Sequence, residues 1–158
     1  PKVANIDIRL NLESKNDCVI ADPNQLRQVF LNLILNAVDA IASKSSNGEG
    51  RLSIRSTLAK HNGFANDSLD AADQQVLEIA VIDNGIGIAP ENIADIFDPF
   101  FTTKEPGKGT GLGLSVSFMI LEGLGGKISA ASKVGEGTTM RVTLPLSEPA
   151  RLPGSIHQ

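Results

Sequence analysis

The chain of 158 residues contains one cysteine, two histidines, and no tryptophan or tyrosine. Cys18 alone can form no internal disulfide, which points to a reducing compartment. His61 and His157 are too few and too far apart in sequence to build a metal site. Basic residues are also short: 14 Lys and Arg against 18 Asp and Glu leave a formal net charge of -4. That balance argues against a general binder of nucleic acid or of an anionic membrane, both of which need basic surface. No apolar run is long enough to span a bilayer, and no signal-peptide pattern opens the chain, so any anchor of a longer parent is expected outside this stretch. What is present suffices for one core. Hydrophobic residues make up 41 % of the chain, enough to bury a domain without staples. Three of the six phenylalanines gather at positions 97, 100 and 101.

Apolar residues alternate over 3–12 and 51–58, which predicts strands; 76–82 reads as a buried strand, and 17–21 as a further short strand. Asp22-Pro23 is a helix start, with an N-cap and a proline at the first helical position, and the helix is expected to reach about residue 43. Residues 45–50 form a polar turn, and 61–73, rich in Asn, Asp, Ser and Gly, a long exposed loop. A short helix is expected over 90–96 and another over 114–122, closed by Gly123, Gly125 and Gly126. Residues 127–133 and 138–146 make a hairpin around Gly135-Glu136-Gly137. Residues 149–158 have little to bury and read as a disordered tail behind one domain of residues 1–148. The implied architecture is a two-layer α/β sandwich, one mixed sheet with helices on one face.

Three features carry chemistry. On the long helix, Gln25, Gln28, Asn32, Asn36, Asp39 and Ser43 fall in one narrow stripe, while most other positions are apolar. Such a stripe is ordinarily a solvated face. Solvated faces usually carry Lys and Glu, however, and none occurs between residues 28 and 41. Neutral amides suit a cavity, where an Asn oxygen can ligate Mg²⁺ that bridges phosphates. Second, Asp83-Asn84-Gly85-Ile86-Gly87 follows a buried strand. It reads either as a tight Asn-Gly turn or as a carboxylate projecting from the sheet end to accept a hydrogen bond from a base amine. In the second reading, Gly85 and Gly87 let backbone approach a ligand closely. Third, Gly107, Gly109, Gly111 and Gly113 alternate just before a helix, with Lys104 and Lys108 nearby. Free N–H groups at a helix start suit phosphate. The spacing is neither a Walker A loop nor a dinucleotide fingerprint. A flexible linker is the plain alternative, but linkers are rarely flanked by Phe97-x-x-Phe100-Phe101 and an amphipathic helix.

In this order the pieces resemble the GHKL ATPase superfamily and, within it, the sensor histidine kinases. Asn32-Leu-Ile-Leu-Asn36-Ala-Val-Asp-Ala is similar to the family's N box. Asp83-Asn-Gly-Ile-Gly87 is similar to its first glycine box, and Phe97-Asp-Pro-Phe-Phe-Thr-Thr-Lys104 to its F box. Gly109-Thr-Gly-Leu-Gly-Leu114 is similar to its second glycine box, and Gly135-Glu-Gly-Thr138 to the threonine-bearing turn before the last strand. The wording of the F box and of Asn-Ala-Val-Asp-Ala is most similar to sensor kinases of the nitrogen-regulation and C4-dicarboxylate type. The resemblance implies a Bergerat-type fold that binds ATP and Mg²⁺. It makes Asn36 the Mg²⁺ ligand, with Asn32 in support, and Asp83 the acceptor for the adenine amine, helped by water and Thr138. Gly85 and Gly87 would shape the base pocket. Gly109, Thr110, Gly111, Leu112, Gly113 and Leu114 would form the lid over the phosphates. Lys104 or Lys108 would reach a phosphate, and the resemblance does not choose between them. Many relatives carry a basic residue three after the second Asn, where this chain has Asp39, so that contact is missing here.

The kinases of this resemblance carry their phosphoacceptor histidine, followed by an acidic residue, on a dimeric helical hairpin ahead of this domain. Neither His61 nor His157 has that context. The expectation is therefore a catalytic domain, nearly inert alone, that transfers the ATP γ-phosphoryl group to a separate histidine-bearing dimerisation domain. A response regulator would lie downstream. The parent would be a homodimer, anchored in the bacterial inner membrane with this domain in the cytoplasm, touching neither nucleic acid nor membrane. Rival readings are a conformational-switch ATPase of the gyrase, chaperone and mismatch-repair kind, and a nucleotide-binding scaffold without catalysis.

Overall fold

A computed structural model describes residues 5–14, 17–44, 49–60, 75–104 and 109–147. The expected 61–73 loop, the 149–158 tail, both histidines, Gly107 and Lys108 lie outside these. Five strands form one sheet: β1 (Ile6–Leu12), β2 (Gly50–Lys60), β3 (Gln75–Asp83), β4 (Lys127–Lys133) and β5 (Gly137–Pro145). Their order is β1-β2-β3-β5-β4. β1 runs parallel to β2, and the other pairs are antiparallel. The helices α1 (Pro23–Ala42) and α2 (Gly113–Gly123) cover one face, which gives the mixed sheet and two layers read from the sequence.

α1 starts where its signals place it. Asp22 accepts from Asn24 N at 2.8 Å, and Pro23 holds the first turn. Val29, Leu33, Ala37 and Ile41 are buried at helical spacing and pack on Leu52, Val81, Met140, Val142 and Leu144 of the sheet. Burying each of these side chains larger than alanine contributes roughly 1.5–3 kcal/mol. Leu121 of α2 completes the same cluster.

Two expected elements differ. Residues 17–21 form no strand. The segment leaves β1 at Glu13, whose N–H donates to Ser56 O, and reaches the chain beyond β5, where Ser147 N donates to Cys18 O. It therefore crosses the end of the sheet instead of running beside a strand. Residues 90–96 hold only a 3-10 turn, Pro90–Asn92, followed by successive turns closed by three-residue hydrogen bonds through Phe101. Only Ile96 is buried there, too little of an apolar face to hold a short α-helix. The alternation of β1 is real, yet Ile8, Leu10 and Leu12 remain 60–65 % exposed at the sheet edge, beyond the cover of α1.

Candidate functional site

Register brings the chemistry into one row across the end of the sheet. Asp83 of β3 lies opposite Thr138 of β5, and Thr138 lies opposite Ser132 of β4. Asp83 is 8 % and Thr138 6 % exposed. Oδ1 of Asp83 accepts from Gly85 N at 2.8 Å and from Thr138 N at 3.3 Å. Its other oxygen has no such bond among the described residues. Burial pushes the Asp83 carboxyl above its ordinary 3.8; the two backbone N–H groups and the Lys44 ammonium pull the other way without cancelling that rise. A half-desolvated carboxylate with one free oxygen at a cleft is an acceptor waiting for a donor.

The segment after Asp83 is both a turn and a brace. Asn84 accepts from Arg51 N at 2.7 Å and donates to Glu49 O at 3.0 Å, which ties the turn to the start of β2. A Cβ on Gly85 would lie 2.6 Å from the backbone of Ala40, and Ile86 N donates to Ala40 O. Gly87, at φ 74°, has no room for a Cβ beside Lys133 O. The tight approaches of Gly85 and Gly87 are thus to α1 and to the β4–β5 hairpin, not to open space. Of the two, Gly87 also lines the cleft beside Asp83 and Gly85 does not.

A cleft of about 960 Å³ opens beside this row. It collects Asn32, Asn36, Asp83, Gly87, Lys104, Gly109, Thr110, Gly111, Gly113, Leu114 and Thr138. Gly85 and Leu112 of the expected set do not line it, and Lys108 is not described. Val81, Ile96 and Met140 give the Asp83 end an apolar wall, which no motif announced because strand hydrophobics look alike in sequence.

Of the polar stripe of α1, Asn32, Asn36, Asp39 and Ser43 line the cleft, while Gln25 and Gln28 are exposed and lie outside it. Asn32 Nδ2 donates to Gly113 O at 3.0 Å and Ser117 Oγ at 3.3 Å, tying the two helices at the foot of the glycine segment. Asn36 lines the cleft and makes no side-chain hydrogen bond with the described residues. No group of His, Cys, Asp and Glu among the described residues could hold a metal, so a cation here would rely on Asn36, ligand oxygens and water. Lys104 reaches across the mouth to an ion pair with Asp39 of α1, a partnership missed in the sequence because 65 residues separate the two.

The aromatic box anchors the glycine segment. Phe97 packs against Phe118 of α2, the rings tilted by 35° with centroids 5.8 Å apart. Phe100 N donates to Gly111 O at 3.0 Å, and a Cβ on Gly111 would sit 2.5 Å from the Phe100 carbonyl carbon. Gly111 also has φ 66°. Gly111→Ala should therefore release the junction, since the backbone conformation alone costs about 1–2 kcal/mol. The check is hydrogen exchange: the Phe100 amide should exchange much faster in the variant, and unchanged protection would contradict the junction.

The pattern of the family described as histidine kinase-, DNA gyrase B- and HSP90-like ATPase matches residues 21–148. The chain belongs to this family. Membership assigns ATP to the domain. The chain is 37 % identical over 149 residues to the two-component sensor PprA of Pseudomonas aeruginosa, covering 94 % of the chain but 15 % of that protein. It is also similar to the catalytic domain of histidine kinase ThkA in a nucleotide-free form, at 31 % identity and TM-score 0.66 over 90 % of this chain and 80 % of that one. Full-length ShkA in complex with AMPPNP matches at 26 % identity and TM-score 0.69, over 92 % of this chain and 27 % of that one. The ATPase-family domain thus spans a small part of the curated sensor it matches. No helix among its described residues is long and apolar enough to cross a membrane.

Proposed function

We propose that the cleft holds ATP with its base against Asp83 and its phosphates against the start of α2, as the donor site of a histidine kinase. The observation that carries this is the free oxygen of the buried Asp83 carboxylate, whose partner oxygen is already taken by two backbone N–H groups. A free carboxylate oxygen accepts from the adenine amine and repels the carbonyl that guanine places there. Thr138 sits beside it, and the apolar wall excludes water from the base plane.

Toward the other end, the unpartnered Asn36 oxygen would hold Mg²⁺, whose chemistry is to neutralise charge on the phosphates. Asn32 fixes α2 so that the N–H groups around residues 113–115 face the phosphates. Gly109 to Leu114 form the lid, and Lys104 is the cation seated at its foot. The stem of Lys104 lies against Gly109, 3.1 Å from where a Cβ would stand. Lys104→Ala should weaken ATP up to about tenfold while changing AMP little, with the difference shrinking at high salt; equal losses for both would remove Lys104 from the phosphates.

The acceptor is a histidine on a separate dimerisation domain of the same parent, and a response regulator receives the phosphoryl group after it. The sensor kinases in the comparison support this branch over the switch ATPases. The parent is a homodimer anchored in the bacterial inner membrane, with this domain on the cytoplasmic side. Calorimetry with ATP and GTP tests the donor site: ATP should bind and GTP should not, and equal affinities would refute the base assignment.

A further inference from the structure

Ser132 lies behind the base end of the cleft, and its hydroxyl is surrounded by three partners. Ile88 N is 2.8 Å from its Oγ, Gly137 O is 2.9 Å away, and Thr138 Oγ1 is 2.8 Å away. A hydroxyl has one proton and two lone-pair positions. The Ile88 N–H can only donate, so it occupies one lone pair. Gly137 O can only accept, so it takes the proton. The short contact to Thr138 then has one solution: the Thr138 hydroxyl donates into the remaining lone pair of Ser132. Thr138 is 6 % exposed and lines the cleft, and in this arrangement its proton is turned toward Ser132.

We propose that Ser132 is a specificity-determining positioning residue, which turns the proton of Thr138 away from the cleft so that the base end presents two acceptors and no donor. Those acceptors are Thr138 Oγ1 and the free oxygen of Asp83. An exocyclic amine has two N–H groups and can serve both directly; a carbonyl at the same ring position can serve neither. Ser132 touches no part of the ligand and acts only through Thr138. The inference rests on the reading that the cleft holds adenine.

The experiment measures ATP and ITP affinities by calorimetry on the full chain, because ITP differs from ATP only in carrying a carbonyl and ring N–H where adenine has its amine and bare nitrogen. The parent should prefer ATP strongly. Ser132→Ala frees the Thr138 proton to turn into the cleft and donate to a carbonyl, so the ATP-to-ITP preference should fall about tenfold. Ser132→Thr should keep the preference. In a Thr138→Val background, Ser132→Ala should change the preference no further. A purely structural Ser132, holding only Ile88, would lower both affinities together and leave the ratio intact. That result, or a further change in the Thr138→Val background, would overturn the inference while leaving the adenine site standing. Absence of ATP binding by the parent would overturn the adenine reading and the inference with it.

Discussion

Asp83→Asn is expected to cost about a hundredfold or more in ATP affinity while leaving the protein as stable at neutral pH, or more so. The binding loss follows from polarity. An amide can keep its oxygen on Gly85 N and Thr138 N, where Asp83 Oδ1 now sits, which places its NH₂ toward the cleft, donor against donor. The stability follows from the raised pKa. Unfolded, the carboxyl ionises near 3.8; folded, burial raises that value. The stability this group contributes is therefore full below 3.8 and is lost as pH rises through the folded value. At neutral pH the buried charge is a burden on folding, and asparagine removes it. Thermal unfolding of both proteins at neutral and acidic pH checks this: the gap in favour of the variant should close on acidification. A variant that unfolds at neutral pH, or one that still binds ATP, would contradict the assignment.

Asn36→Ala should weaken ATP by at least about tenfold with Mg²⁺ present, the lower end of what disturbing the partners of metal ligands costs. Without Mg²⁺ the loss should be small, because the Asn36 side chain makes no hydrogen bond with the described residues for the fold to miss. Asn32→Ala should behave differently. Its Nδ2 binds Gly113 O and Ser117 Oγ, so removing it loosens α2 and costs affinity in either condition. Equal losses at Asn36 with and without the metal would make it a structural residue.

Much of the lining of the candidate cleft was legible in the sequence, and the reason differs by residue. Asn36 stood out because it lies on an amide stripe of a largely apolar helix that carries no Lys or Glu between residues 28 and 41, unlike an ordinary solvated face. Asp83 stood out as a carboxylate at the end of a buried strand. Gly111 marked a position with φ 66° that only its glycine adopts freely. Ser132 carried no signal, since one more serine in an alternating strand is ordinary until register places it opposite Thr138. The Lys104–Asp39 pair was equally silent, being formed across 65 residues. The failed strand at 17–21 shows the limit from the other side. A short extended segment before a helix satisfies strand propensity locally, but only the sheet's order decides whether an edge is free to receive it.

The most direct test of the account is to mix this chain, in labelled ATP and Mg²⁺, with the histidine-bearing dimerisation domain proposed for its parent, produced separately. The chain alone should take up no label, since neither His61 nor His157 lies near a site motif in sequence. The mixture should label the histidine domain, more slowly than a tethered pair because the linker's effective concentration is gone. The label should survive alkali and be lost in acid, as a phosphorus–nitrogen bond requires. Rapid ATP hydrolysis by the chain alone, with no label on the histidine domain, would contradict the kinase reading and favour a conformational-switch ATPase.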